Sequence, residues 1–245
     1  MMPNPDRRKL FLAGATGVIG KRLVPLLLQR GWHVVGTTRS SEKARVLAAA
    51  GAEPVVVNVF DAQALQRAVA HAQPAVVLHE LTDLSGLDPA HMADALARNA
   101  RIRSEGTANL VAAALAARVP RMVAQSIAWA YAPQSRALRE EDPLDLQAAG
   151  TRAISVRGVA ELERRVLDSP PLAGVVLRYG RLYGPGTGAE VAAAPSVHID
   201  AAAWATVLAV ERAAPGLYNI ADPGPQLDTG KAQTQLDWSA DWRIS

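Results

Sequence analysis

The sequence predicts an α/β fold in which helices cover both faces of a doubly wound parallel sheet, followed by a small, shortened C-terminal region. Short apolar runs typical of strands alternate with longer segments whose apolar residues recur at helical spacing. The strand-like runs are apolar almost throughout, as expected for strands buried on both faces. The chain has 245 residues, 49% of them hydrophobic, which is enough for one large domain.

The first part of the chain contains four predicted strands. They are expected at 9–13, 33–38, 54–59 and 75–79, with helices at 19–30, 41–50 and 61–72. Ser41 is expected to cap the second helix, Gly51 to follow its end, and Asp61 to cap the third.

In the second part, Asp88-Pro89 predicts the start of a helix that extends to 117 and allows one break. Further strands are predicted at 121–126 and 174–178, with a helix over 152–167. The pattern weakens after Tyr183, and 184–195 reads as a loop. The remaining predicted elements are a strand at 197–199, a helix at 200–212, a strand at 216–220 and a short helix at 230–236.

Composition excludes several kinds of protein. Cysteine is absent, which excludes disulfides, a Cys nucleophile and thiolate metal sites and suits the cytoplasm. The five histidines are dispersed, so no metal site is expected, and His79 is expected to be a hydrogen-bonded core residue. The net charge is only +3, and Arg7-Arg8-Lys9 is the one basic run, so nucleic acid is not an expected partner. No leader-like segment or membrane-spanning run is recognised, and we expect a cytoplasmic protein without a membrane partner.

A glycine-rich loop is the most informative motif. Gly14, Gly17 and Gly20 follow the first predicted strand and open the first helix, with Thr16, Val18 and Ile19 between them. In this GxxGxxG spacing the first glycine allows a sharp turn, the second a close approach of backbone to a pyrophosphate, and the third tight packing of helix on strand. The helix N-terminus attracts phosphate. The loop therefore predicts a Rossmann-type fold that binds a dinucleotide.

The end of the second strand favours NADP over NAD. Folds that bind NAD usually place an acidic residue there to accept the ribose 2′-hydroxyl. Here Arg39 and Ser40 end the strand, and the first acid is Glu42. A guanidinium and a hydroxyl suit a 2′-phosphate, so NADP is the expected cofactor and NAD the less favoured alternative.

Several segments together resemble the extended or atypical short-chain dehydrogenase/reductases, in the NAD-dependent epimerase/dehydratase family. The similar segments are 14–20, 105–114, 177–186, 197–200, 216–220 and 231–238. The resemblance implies a Rossmann domain at 1–180 and a small substrate region at 181–245 that is not an independent domain. It also implies a homodimer through the helices at 89–117 and 152–167.

The same resemblance implies positions for the cofactor. Asn58 and Val59 would lie near the adenine, and Leu81 and Thr82 beside the cofactor. Tyr179 is expected to pack or to line the pocket rather than to act as an acid.

The catalytic pattern of that family is missing. Its redox enzymes use a Tyr-x-x-x-Lys pair and a Ser, with the Tyr as acid or base. The matching helix contains neither Tyr nor Lys. One alignment places Ala153 and Arg157 at the two positions, and another places Ser155 and Val159 there. Arg157 could hold ribose hydroxyls but stays protonated.

The serine position is ambiguous as well. Alignment on Tyr131 puts Ile127 at the catalytic serine, whereas a local shift would put Ser126 there. Tyr131 is the nearest phenol in sequence that could replace the missing acid. Ser126, Tyr131 and Arg157 are thus the candidate catalytic residues, each with a structural role as the alternative.

Two functions stay open at this point. The first is an NADP-dependent oxidoreductase that acts on a small carbonyl or sugar-derived substrate, since the loop at 184–195 is too short for a large pocket. The second is a non-catalytic NADP-binding sensor or regulatory protein, which the missing Tyr and Lys favour.

Overall fold

A computed structural model describes residues 8–83, 92–191 and 193–244. Seven parallel strands form the main sheet in the order β3-β2-β1-β4-β5-β6-β9. The first four, in chain order, are β1 (Lys9–Ala13), β2 (His33–Thr38), β3 (Glu53–Val56) and β4 (Val76–His79). The others are β5 (Arg121–Ile127), β6 (Ala173–Tyr179) and β9 (Gly216–Ile220), and a separate parallel pair consists of β7 (Arg181–Tyr183) and β8 (Ser196–His198).

Eight α-helices accompany these strands in the described part of the chain. The first four are α1 (Gly20–Gln29), α2 (Ser41–Ala49), α3 (Ala62–Ala72) and α4 (Met92–Arg101). The others are α5 (Thr107–Ala116), α6 (Gly150–Leu167), α7 (Ile199–Arg212) and α8 (Gly230–Leu236). None of the described helices is long and apolar enough to cross a bilayer.

The core has two layers, one on each face of the sheet. One layer packs α1 and α7 against side chains such as Leu12 and Leu177, which are fully buried. The other packs α3, α5 and α6 against side chains such as Phe11 and Val176. The predicted doubly wound fold is therefore confirmed. In such a sheet, ligands bind in the crevice outside the carboxyl ends of the strands.

The predicted C-terminal region returns to the main sheet. Helix α7 packs against α1, and β9 pairs with β6 in parallel, with Leu177 opposite Tyr218. Elements on both sides of the boundary proposed at residue 180 thus pack together, and the division into a Rossmann domain and a substrate region stays a prediction.

Some element boundaries differ from the prediction. Ser40, not Ser41, caps α2, because its Oγ accepts a hydrogen bond from the Lys43 N–H. Strand β3 ends at Val56, the Val57 N–H still donates to the Thr38 carbonyl oxygen of β2, and Asn58 to Phe60 leave the sheet before α3, which Asp61 caps as predicted. The Asp88-Pro89 start lies outside the described residues.

The break allowed in the long helix is a π-helical segment, Ile102–Gly106, between α4 and α5. Such segments change the direction in which helical side chains point and are frequent at functional sites.

Candidate cofactor and substrate site

The glycine loop has the geometry that its spacing predicts. Gly14 has φ +98°, and a Cβ there would lie 2.5 Å from the carbonyl oxygen of Glu80. A Cβ at Gly20 would lie 2.2 Å from the carbonyl oxygen of Gly14, so helix and strand are in close contact. At Gly17 a Cβ would meet only the Gly14 carbonyl oxygen within 4 Å, so the remaining space beside that glycine is open to a ligand.

Helix α1 begins next to this loop without a competing anion. Its N-cap residue, Ile19, makes no side-chain capping hydrogen bond, and the first turn contains no acidic residue. The positive end of the helix is therefore available to a phosphate group.

A cavity of about 200 Å³ lies over this loop, and we call it the loop cavity. Among its lining residues are Gly14, Thr16, Gly17, Arg39, Asn58, Val59, Leu81 and Thr82. The structure thus brings eight predicted cofactor residues to one place. Gly20 and Ser40 do not line it: Gly20 packs on the loop, and the Ser40 hydroxyl oxygen caps α2.

Two cations stand where β2 ends. Arg39 and Lys43 both line the loop cavity, and both are exposed. Sequence reasoning identified Arg39 but missed Lys43, which the first turn of α2 brings to the same cavity. The two side chains form a positive rim that suits a phosphate.

A second cavity of about 290 Å³ adjoins the first, and we call it the apolar cavity. Its apolar lining includes Val18, Ile19, Leu96, Ile127, Trp129 and Leu182. Thr82 and Glu80 line both cavities. A ligand in the loop cavity and a ligand in the apolar cavity would therefore meet beside these two residues. Two residues predicted to contact the cofactor, Val18 and Ile19, line the apolar cavity and not the loop cavity.

Two arginines line the apolar cavity. Arg103 lies on the π-helical segment and makes no side-chain hydrogen bond or ion pair with any described residue, and burial lowers its pKa to about 10. Arg181 lies over the ring of Trp129, with its guanidinium carbon 5.3 Å from the ring centroid. No sequence pattern pointed to Arg103, because its direction depends on the helical distortion around it.

Glu80 is the acid at the junction of the two cavities. Its side chain is only 4% exposed, and neither carboxyl oxygen has a hydrogen-bond partner among the described residues. Burial raises its pKa to about 8, because desolvation disfavours the charged form. The sequence signal for Glu80 is an acid directly after an apolar strand, which sequence reasoning missed.

Ser126 lines the apolar cavity but its hydroxyl proton is engaged. Ser126 Oγ donates to Glu163 Oε1 at 2.7 Å, and Glu163 is paired with Arg178. The hydroxyl is thus held toward α6 and could not donate to a substrate without breaking this bond.

Tyr131 does not reach the apolar cavity. Its hydroxyl donates to Asn219 Oδ1 at 2.7 Å, its ring lies under Arg178, and it lines a different cavity beside Pro195. Burial raises its pKa to about 12. These contacts hold the phenol away from both cavities, and its role as the substitute acid stays a prediction.

The side chains of helix α6 show which residues lie where the family's Tyr/Lys pair would be expected. Ser155 lines the apolar cavity, Val159 is fully buried, and Arg157 is exposed on the outer face of the helix. The structure therefore does not bring Arg157 to either cavity, and no lysine or second tyrosine lines the wall beside Ser155 among the described residues.

Tyr179 and His79 both have partners inside the protein. The Tyr179 hydroxyl is bonded to Thr206 Oγ1, and its ring lines the apolar cavity. His79 Nδ1 accepts from the Leu81 N–H, and its Nε2 lies 2.9 Å from Thr107 Oγ1. The expectation of a hydrogen-bonded core histidine is confirmed, and burial lowers the pKa of His79 to about 4.

Comparison with known proteins decides the family. The sequence matches the model of the NAD dependent epimerase/dehydratase family over residues 10–197. The chain belongs to the NAD-dependent epimerase/dehydratase family. This confirms the resemblance, the Rossmann fold and the relation to extended short-chain dehydrogenase/reductases, whose members depend on NAD(P).

Several proteins similar to this chain are named as reductases. A protein from a Streptomyces species, named 3-diazoavenalumate denitrifying reductase, is 42% identical over 89% of this chain and 77% of its own length. A dTDP-4-dehydrorhamnose reductase from Streptomyces griseus is 30% identical over 76% of this chain, but only 53% of that protein is covered.

The solved structures of the family share the fold. The UDP-glucose 4-epimerase from Thermus thermophilus, in complex with NAD, superposes with a TM-score of 0.76 at 18% identity, covering 96% of this chain and 95% of that one. The residues around the loop cavity fit a dinucleotide: the loop is open at Gly17, α1 begins uncapped, and Arg39 and Lys43 supply positive charge.

Proposed function

We propose that the chain is an NADPH-dependent reductase that acts on a small electrophilic carboxylate, with a diazo carboxylate as the favoured substrate class. The observation that supports this most directly is the meeting of the loop cavity and the apolar cavity at Glu80 and Thr82, on a wall without the Tyr/Lys pair.

The loop cavity has a residue for each part of the cofactor. Gly14, Thr16 and Gly17, with the start of α1 at Val18, Ile19 and Gly20, would hold the pyrophosphate. Asn58 and Val59 would contact the adenine, and Leu81, Thr82 and Tyr179 would lie toward the nicotinamide. When bound in its reduced form, the cofactor supplies a hydride.

Arg39 favours NADPH over NADH. Arg39 and Lys43 line the cavity next to the place where β2 ends, and no acid stands there to accept a ribose 2′-hydroxyl. A 2′-phosphate would form charge-assisted hydrogen bonds with both cations. Ser40 can add its hydroxyl hydrogen, since only its oxygen is used in the cap.

The apolar cavity suits a small anion with an apolar body. Its walls are mostly apolar, and Arg103 is a largely desolvated cation that makes no hydrogen bond or ion pair with a described residue, although the charge of Glu163 acts on it. A carboxylate is the anion that matches a guanidinium in two parallel hydrogen bonds. Trp129, held beside Arg181, would cover a flat apolar body.

A diazo substrate would explain the missing Tyr/Lys pair. The relative that is 42% identical is named for removing nitrogen from a diazo acid. Replacement of a diazo group by hydrogen consumes one hydride and one proton and releases N₂, and no oxyanion develops on the reacting carbon. The family's Tyr/Lys pair serves to protonate or deprotonate an oxygen, so this reaction does not need it.

The alternative function, a non-catalytic NADP-binding sensor, rests on the same missing Tyr/Lys pair. Apart from Tyr179, no tyrosine or lysine among the described residues lines the apolar cavity that Ser155 lines. A sensor would bind cofactor with no turnover of any substrate.

One assay distinguishes these functions. Purified protein is incubated with NADPH and a panel of diazo carboxylates, with keto acids and sugar-derived carbonyls as comparison substrates. The expected result is enzyme-dependent loss of NADPH absorbance with a diazo carboxylate, release of N₂, and transfer of deuterium from C4-deuterated NADPH into the product. Protein-free and heat-denatured controls remove uncatalysed reduction. Calorimetric binding of NADPH without oxidation on any substrate would instead identify the sensor.

The homodimer stays a prediction and is tested separately. Helices α4 and α6 pack against each other within one chain, and Arg157 and Arg164 lie on the exposed side of α6. Light scattering should give twice the chain mass of 25.9 kDa, and a monomer would contradict the expectation.

A further inference from the structure

The contacts of the Glu80 side chain reveal no role in stabilising the fold. Glu80 follows β4 directly, lines both cavities where they meet and is almost fully buried. Both carboxyl oxygens lack hydrogen-bond partners among the described residues. A buried polar group without partners destabilises a protein, so its presence indicates a ligand or a reaction that uses it.

The groups around Glu80 do not neutralise it. From β6, Tyr179 is a second buried acid whose hydroxyl is bonded to Thr206 on α7. The Thr206 hydroxyl lies near Glu80 and opposes part of the rise in its pKa, but it has no hydrogen-bond geometry to either carboxyl oxygen. Its own hydrogen bonds go to Tyr179 and to the Ala202 carbonyl oxygen, 3.3 Å from its Oγ. Arg103 and Arg181 line the same apolar cavity, without an ion pair to Glu80. Burial therefore prevails, and with a pKa of about 8 the group is a neutral carboxylic acid at neutral pH.

We propose that Glu80 is the general acid of this enzyme and gives its proton to the substrate in the apolar cavity. The inference rests on the proposed reductase function for its substrate. The Glu80 O–H bond breaks as a new bond to hydrogen forms on the substrate, and the hydride comes from the reduced cofactor. Diazo carboxylate, hydride and proton give the reduced carboxylate and N₂, and Glu80 is left as a carboxylate that solvent reprotonates.

Charge balance couples this acid to the oxidation state of the cofactor. A neutral Glu80 suits the uncharged reduced nicotinamide, whereas a Glu80 carboxylate would be stabilised by the positive charge of the oxidised ring. In a site of low polarity such a pair interacts strongly. Binding of NADP⁺ should therefore release a proton from Glu80, and binding of NADPH should not.

The proton release is measurable without any substrate. Titration calorimetry at pH 7 in buffers of different ionisation enthalpy gives the number of protons released on binding of each cofactor form. We expect close to one proton with NADP⁺ and none with NADPH in the wild-type protein. In Glu80→Gln, which keeps the shape of the side chain, the release with NADP⁺ should disappear. Glu141→Gln, an exposed acid outside both cavities, is the matched control and should behave as wild type.

Infrared spectroscopy tests the same group in the wild-type protein itself. A carbonyl band of a protonated carboxylic acid should be present with NADPH bound, weaken when NADP⁺ replaces it, and be absent from Glu80→Gln. The change between the two cofactor forms is measured on the wild-type protein and so does not depend on how well the variant folds.

Turnover gives the third readout. General acids contribute about 10²- to 10⁴-fold to rates, so Glu80→Gln should lose turnover on that order while it still binds NADPH. Proton release that disappears in Glu80→Gln supports the proposal even when no substrate of the panel is reduced, which would overturn only the proposed substrate. Release that is absent from the wild type or persists in Glu80→Gln, or undiminished turnover of that variant, overturns it.

Discussion

Glu163 and Arg178 form a buried bidentate ion pair that ties α6 to β6. Arg178 Nε lies 2.8 Å from Glu163 Oε1 and Arg178 Nη2 lies 2.6 Å from Glu163 Oε2, and the two side chains are only 4% and 6% exposed. Ser126 at the end of β5 adds a third hydrogen bond to the same carboxylate. Three elements that form the wall of the apolar cavity therefore meet at one carboxylate.

Breaking this pair should be costly. Glu163→Gln leaves the Arg178 charge buried without its counterion, and such changes typically destabilise a protein by about 3–5 kcal/mol. Urea unfolding measures the loss. Glu161→Gln, a partly exposed acid on the same helix, should change stability by less than about 0.5 kcal/mol. Equal effects of the two substitutions would contradict the structural role of the pair.

The Tyr131 hydroxyl should matter for stability and not for catalysis. Tyr131→Phe leaves Asn219 Oδ1 without its donor, so the free energy of unfolding should fall by about 1–3 kcal/mol. NADPH oxidation should stay within about twofold of the wild-type rate, since the phenol lines neither the loop cavity nor the apolar cavity. A loss of turnover with normal stability would restore Tyr131 as the acid expected from the sequence.

Arg39 should set the preference for NADPH. In Arg39→Ala the dissociation constant for NADPH should rise about 10- to 100-fold, the range expected for hydrogen bonds to a charged group, while that for NADH stays nearly constant. Calorimetry or fluorescence titration measures both. Arg45→Ala removes an exposed arginine of α2 that lines neither cavity and serves as the control. Equal weakening of NADPH and NADH binding would contradict the assignment of Arg39 to the 2′-phosphate.

Arg103 should determine recognition of the substrate carboxylate. Arg103→Gln should raise KM for a diazo carboxylate about 10- to 100-fold with a much smaller change in kcat, because a bound carboxylate contributes to affinity in both the ground and transition states. The corresponding carboxamide should be reduced equally by wild type and variant. An unchanged KM for the carboxylate would place the anion elsewhere.

The sequence predicted the fold and the cofactor loop well because both depend on local signals. Strand runs such as 33–38 and the spacing of Gly14, Gly17 and Gly20 are properties of adjacent residues. The cap of α2 was misplaced by one residue because Ser40 and Ser41 are chemically equivalent, and only the backbone at the helix start distinguishes them.

The candidate catalytic residues were harder to predict because side-chain direction depends on distant partners. Tyr131 turns toward Asn219, which is 88 residues away in sequence. Arg103 reaches the apolar cavity from a π-helical segment that no periodicity announces. Glu80 was visible as an acid after a strand, but its isolation from hydrogen-bond partners is a property of the folded protein.

The pH dependence of stability should reveal two buried groups with opposite effects. Folding keeps Glu80 neutral up to a pKa of about 8, against 4.5 in the unfolded chain, so the unfolded state loses this proton first. Stability should then fall by about 1.4 kcal/mol per pH unit between these values. Folding lowers the pKa of His79 from 6.5 to about 4, so the unfolded state gains this proton first as the pH falls. Stability should be lost at a similar slope from pH 6.5 down to about 4.

The two contributions cancel where their windows overlap. The summed contribution of these two groups should be nearly flat from pH 4.5 to 6.5 and should decline from 6.5 toward 8, where only Glu80 of the two still titrates. Glu80→Gln removes the declining part, so its stability should rise from about pH 4 to 6.5 and then stay level. Urea unfolding of both proteins at intervals of half a pH unit measures this. In the difference between the two free energies of unfolding, the contributions of all shared titratable groups cancel. The variant should gain on the wild type by about 1.4 kcal/mol per pH unit across this range, and a constant difference would mean that Glu80 ionises normally in the folded protein.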